Sequence, residues 1–149
     1  MDRGSAVFLG QYERTVDDKS RLAVPPELRS NLSAGAVLTR SFDSCLCIYP
    51  ATKWEALAQA VDDLPEVRYE ARVLARSLFG GAVPCDFDRQ GRVVIPGFLR
   101  EHAGIHGDVV MAGVCSHVEI WAKDAWLAER QKFDGEGQSL AEILLISGT

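Results

Sequence analysis

The chain has 149 residues, 47% of them apolar and 25% charged, with a formal net charge of −5. Such a length suits one domain, or two small intertwined halves around a real core, and the balance is ordinary for a globular chain. The values argue against a broad electrostatic footprint for an anionic partner, and no run of about 18 apolar residues offers a membrane span.

After Met1-Asp2-Arg3-Gly4-Ser5 no apolar segment of signal-peptide length follows, so the expected location is the cytoplasm. Residues 8–16 alternate imperfectly and read as a strand. Asp17-Asp18-Lys19-Ser20 supplies turn chemistry, and residues 21–24 resume the strand. Pro25 and Pro26 end it and begin a short helix over residues 27–32, closed near Gly35. Residues 36–39 and 46–49 form a hairpin. Thr52 is placed to cap a helix running towards Val61, with Glu55 at the capping-box position. Pro65 interrupts, and residues 66–79 read as a second helix. Its Arg68, Arg72 and Arg76 form a row that Glu66 and Glu70 offset, which reads as a solvated or subunit-contact face.

Past Gly80-Gly81, residues 84–87 lead to the turn Asp88-Arg89-Gln90-Gly91, the apolar run 93–95 and Pro96. A short helix over 98–102, stopped by Gly104 and Gly107, precedes a hairpin of residues 108–112 and 117–121. The tail reads as a helix to about Phe133, a break at Asp134-Gly135-Glu136-Gly137, and a second helix over 139–146. Its apolar end needs a surface, supplied by its own domain or by a neighbouring subunit.

The second half of this plan restates the first. Asp17, Arg21, three apolar residues and Pro25 return as Asp88, Arg92, three apolar residues and Pro96, at an offset of 71. Leu28-Arg29 matches Leu99-Arg100 at the same offset, and Ser44, Ile48 and Trp54 match Ser116, Ile120 and Trp126 at 72. A tandem duplication implies an internal pseudo-two-fold. The expected class is mainly β with helices, α+β, in two pseudo-symmetric repeats. Residues 7–54 form the first, 55–78 the connecting helices, 79–126 the second and 127–149 a helical tail.

The Asp-x-x-x-Arg turn has a plain reading: the carboxylate accepts backbone N–H groups and pairs with the arginine. Two copies change its meaning, because they project two guanidiniums in matching orientation. Such groups hold phosphates bidentately or read guanine in a major groove. Asp17 and Asp88 would then brace the turns, since a carboxylate repels a phosphate. Residues 1–54 carry seven Lys/Arg against six Asp/Glu, and every later segment is acidic. Arg14, Lys19 and Arg21 cluster there, with Arg3 upstream, so the first turn is expected to be the stronger contact.

Catalysis finds little support. Ser20, Ser44 and Ser116 have no evident base, and no phosphate loop or zinc-protease motif occurs. Cys45, Cys47, Cys85 and Cys115 show no zinc spacing and read as reduced thiols, with Cys45 and Cys47 on one strand face. Cys115 and His117 lack further ligands in sequence. No metal, cofactor or small-molecule substrate is expected.

Phe8-Leu9-Gly10, residues 16–25 and Leu28-Arg29 resemble the first repeat of the bacterial MraZ family. Asp88-Arg89-Gln90-Gly91-Arg92, Ile95-Pro96 and residues 99–104 resemble the second, and Glu119-Ile120-Trp121 also fits. The resemblance covers roughly residues 7–127. It implies a swapped-hairpin, AbrB-like β-barrel in which the two repeats replace the two subunits of an AbrB-type dimer. It further implies a ring-shaped homo-oligomer associated with the nucleoid, binding short G-rich direct repeats of double-stranded DNA in its own promoter. Through them it would regulate, commonly by repression, the division and cell-wall gene cluster. Carried over by motif, Arg21 and Arg92 would contact DNA, with Lys19 and Arg14 assisting. The helices after each hairpin and the apolar tail would build the ring. Ser20 departs from the glycine usual in the family and present as Gly91. A scaffold or antitoxin-like module on the same barrel is the alternative, disfavoured by the two copies and the short apolar tail.

Overall fold

The computed structural model describes residues 7–147. In chain order, β1 (Gln11–Thr15) and β2 (Arg21–Ala23) precede α1 (Pro26–Arg29), which runs into one 3-10 turn (Ser30–Leu32). The hairpin β3 (Ala36–Arg40) and β4 (Leu46–Pro50) follows, then α2 (Ala51–Asp62) and α3 (Tyr69–Gly80). The second half repeats the order with β5 (Val83–Pro84), β6 (Arg92–Val94), α4 (Gly97–Ala103), β7 (Asp108–Gly113), β8 (Val118–Ala122) and α5 (Lys123–Ile146).

The class is α+β, with more residues in helices than in strands. The repeats exchange their first strands. β1 of the first repeat pairs antiparallel with β7 of the second, and β5 of the second pairs with β3 of the first. The hairpins join through β4 and β8, giving a six-stranded sheet in the order β1-β7-β8-β4-β3-β5, and β2 pairs with β6 in a separate ribbon. The β-barrel that the resemblance implies is corrected in one respect, since the strands do not close on themselves. The sheet is open, because the Asp turns interrupt the run from β1 to β2 and from β5 to β6, and the ribbon lies across one core.

Register locates the pseudo-two-fold. In the ribbon, Leu22 lies opposite Val93, its own counterpart at the 71-residue offset. Across the seam between the hairpins, Cys47 lies opposite Glu119, its counterpart at 72. Side chains flanking both points, among them Leu46, Ile48, Val118 and Ile120, join Leu22 and Val93 in one buried cluster. The axis thus enters through the ribbon, crosses the core and leaves through the β4–β8 seam. Burying Leu22 and Val93 contributes about 2–3 kcal/mol each before entropy is charged.

Three local expectations are corrected. β1 is shorter than residues 8–16, because Gly10 takes φ +93° and leaves Phe8 a single bridge to Cys115. α2 begins at Ala51 after Pro50, with no side-chain cap, so Thr52 lies inside the first turn. The tail is one unbroken helix through Gly135 and Gly137. Glycine costs a helix about 1 kcal/mol, and without a proline that is too little to break it. Among the described residues no helix is long and apolar enough to cross a membrane.

Candidate nucleic-acid interface

Asp17 closes the first turn. Its Oδ1 accepts the backbone N–H groups of Lys19 and Arg21, both at 2.9 Å, and its Oδ2 accepts Arg21 Nε at 2.7 Å. Asp88 repeats every bond, with Gln90 and Arg92 N–H at 2.9 Å and Arg92 Nε at 2.8 Å. Backbone donation from Arg21, with the guanidinium adding to it, holds Asp17 below the ordinary carboxylate value, and Arg92 does the same to Asp88. Both stay ionised at neutral pH, so each turn fixes the angle of one arginine.

Each carboxylate engages its arginine's guanidinium only through Nε. The Nη nitrogens of Arg21 and Arg92 take no hydrogen bond among the described residues, and the two side chains are 30% and 27% exposed. The ribbon register explains their direction. Leu22 and Val93 point into the core, so the alternation of a strand turns Arg21, Ala23, Arg92 and Val94 outward. Arg21 lies opposite Val94 and Arg92 opposite Ala23, one guanidinium on each side of the axis. The bonds Val24 N–H to Gly91 O (3.0 Å) and Ile95 N–H to Ser20 O (2.8 Å) extend the pairing into the turns. This yields a two-stranded ribbon with an arginine at each end of one exposed face.

Two further arginines support that face, and their matched positions were visible only as part of the repeat. Arg29 Nη1 donates to Val24 O at 3.0 Å, and Arg100 Nε to Ile95 O at 3.3 Å. Arg29 also packs over Gly91, where a Cβ would collide with its guanidinium. The turn position of Gly91 requires φ +75°, and Ser20 adopts +63° at the equivalent place. Ser20, a departure from the family's glycine, therefore carries backbone strain that Gly91 avoids.

Lys19 is exposed in the first turn, and Arg89 is exposed where the first copy has Asp18. Residues 17–21 sum to zero charge and residues 88–92 to +1, so the turns themselves are more balanced than their surroundings. Arg14 stands apart from the ribbon. It lies on β1, donates to Glu13 O at 2.8 Å, and lines a cleft of about 300 Å³ with Asp108 and Lys123. Arg3 lies outside the described residues. Two arginines of the row along α3 are tied down locally, Arg72 donating to Glu66 O at 2.8 Å and Arg68 Nε lying 3.6 Å from Glu70.

The family described as "MraZ protein, putative antitoxin-like" matches residues 7–77 and again residues 78–141. The chain is 40% identical over 139 residues to the transcriptional regulator MraZ of Moorella thermoacetica, covering 93% of this chain and 97% of that protein. It is 46% identical over 139 residues to the transcriptional regulator MraZ of Pelotomaculum thermopropionicum, covering 93% and 96%. The protein of that name from Roseiflexus castenholzii is 45% identical over 138 residues, with the same coverage of each chain. Both halves are matched over nearly their whole length, and the chain belongs to the MraZ family.

Proposed function

We propose that this protein is a non-enzymatic transcriptional regulator that binds double-stranded DNA through the outer face of the β2–β6 ribbon. The observation that carries the reading is the placement of Arg21 and Arg92. One duplicated turn braces each of them by Nε, on the outward-facing positions of the ribbon, and its Nη pair takes no hydrogen bond among the described residues. The names of the relatives, all transcriptional regulators, support it.

A major groove admits a two-stranded ribbon, and the guanidinium fork matches guanine O6 and N7. A braced arginine enters the complex with fewer rotamers to lose. Its carboxylate also cancels much of its attraction for phosphate, which shifts the balance from backbone attraction towards directional base contact. A net charge of −5 fits that arrangement better than a charged groove. Lys19 and Arg89 at the turn tips provide phosphate contacts, and Arg14 assists only if DNA extends to the β1 edge.

One ribbon makes few contacts and binds weakly. A ring of subunits on successive direct repeats multiplies those contacts through effective concentration. The target is the protein's own promoter, upstream of division and cell-wall genes. Fluorescence anisotropy with that fragment tests the reading. Arg21→Ala and Arg92→Ala should each weaken binding by about five- to 150-fold, the span of 1–3 kcal/mol for a bidentate base contact, with oligomer mass unchanged. Disassembly of the oligomer instead would make the arginines structural.

A further inference from the structure

The two ends of the pseudo-two-fold axis carry different chemistry. Opposite the arginine ribbon, on the face of the β4–β8 seam turned away from the core, Cys47 faces Glu119 across the ladder. His117, one strand alternation earlier, reaches the same point. The Cys47 Sγ, a ring nitrogen of His117 and a carboxylate oxygen of Glu119 all lie within 4.8 Å of one another, with His117 Nε2 and Glu119 Oε2 at 3.8 Å. We propose that Cys47, His117 and Glu119 form a binding site for one zinc-class divalent ion, at the pole opposite the DNA-binding face.

The donor set fits such an ion. Thiolate, imidazole and carboxylate together suit zinc or cobalt and not magnesium or calcium, which take oxygen ligands. Bond lengths of about 2.0–2.3 Å at a tetrahedral angle separate ligand atoms by about 3.4–3.6 Å. The 3.8 Å between His117 and Glu119 is close to that span, and small side-chain rotations bring in Cys47. One thiolate and one carboxylate balance a 2+ charge, so a half-buried site gains an ion without net charge.

Outer contacts are already in place. Trp121 Nε1 donates to Glu119 Oε1 at 3.0 Å, leaving Oε2 for the ion. Ser116 Oγ lies 3.1 Å from His117 Nδ1, which occupies that nitrogen and leaves Nε2 free to coordinate. The Tyr49 ring packs 4.9 Å from the imidazole. His117 and Glu119 are about a fifth exposed, which gives an entry path, while Cys47 is buried. The fourth position falls to water from that open side.

The arrangement escaped the sequence because its ligands are 70 residues apart and follow no zinc spacing. The pairing weighed there, Cys115 with His117, does not form, since Cys115 is exposed and Cys47 meets the imidazole.

Cobalt titration of the reduced, metal-free full chain tests the proposal. One equivalent of Co²⁺ should produce thiolate-to-cobalt charge transfer and intense visible bands, both abolished by Zn²⁺. Cys47→Ser and His117→Gln should weaken Co²⁺ binding by about a hundredfold or more, while Cys85→Ser and Cys115→Ser leave it intact. If Cys47→Ser fails to fold, the part-exposed His117→Gln decides. Absence of the charge-transfer band at one equivalent, or its loss in Cys115→Ser, overturns the site.

Discussion

Ser20 and Gly91 occupy the same backbone position in the two turns, at φ +63° and +75°, and only the glycine does so without steric cost. Ser20→Gly should therefore stabilise the protein by up to about 1 kcal/mol in chemical denaturation, the usual scale of such a relief. Gly91→Ala should destabilise by about 1–3 kcal/mol, because backbone strain adds to a collision with the Arg29 guanidinium. Asp17 gives a pH signature. Its folded value lies below the 3.8 of the free carboxyl, so its contribution is complete above that value and is lost as pH falls through the lowered one. Asp17→Asn should then be less stable than the parent at neutral pH, with the gap closing below about pH 3.8 in thermal melts. A gap that widens on acidification would show that the carboxylate does not brace the turn. These residues were legible in sequence because turn chemistry is local: an Asp, an Arg four residues on, and a glycine in one copy announce the geometry. Arg29 and Arg100 announced only repetition: each donates to a carbonyl five residues earlier, and Arg29 also packs over Gly91 of the other half, which no local pattern shows.

At the scale of elements, the hairpins, the short helices after Pro25 and Pro96 and the two connecting helices could be read from alternation and breakers. Which hairpin receives which first strand could not. The exchange of β1 and β5 between repeats is a long-range pairing, and no residue within either strand encodes its partner. The tail shows the converse. Gly135 and Gly137 suggested a break, yet α5 runs through them to an end where Ile143, Leu144, Leu145 and Ile146 are 59–85% exposed. Apolar side chains so placed favour a covering surface. In the proposed ring, a neighbouring subunit supplies it. Leu144→Glu with Leu145→Glu should lower the oligomer's mass in analytical ultracentrifugation while leaving the strand content by circular dichroism intact. An unchanged mass would move the subunit contact elsewhere on the molecule.

For the whole molecule, duplication converts one motif into a two-fold device. Leu22 against Val93 holds the ribbon to the core, and the same symmetry that buries them turns Arg21 and Arg92 to solvent. In the proposed reading charge serves direction more than attraction, since each arginine is paired with its own aspartate. Such exposed pairs add little stability, so their value lies in orientation. Lysine separates the two roles, because it keeps the positive charge but has neither the Nε bond nor the bidentate fork. The decisive measurement is the affinity of the Arg21→Lys, Arg92→Lys double variant for the proposed promoter repeats, by anisotropy across a salt series. Affinity should fall to the level seen with unrelated DNA while the salt dependence stays close to that of the parent. Parental affinity in the double variant would contradict base reading by braced guanidiniums.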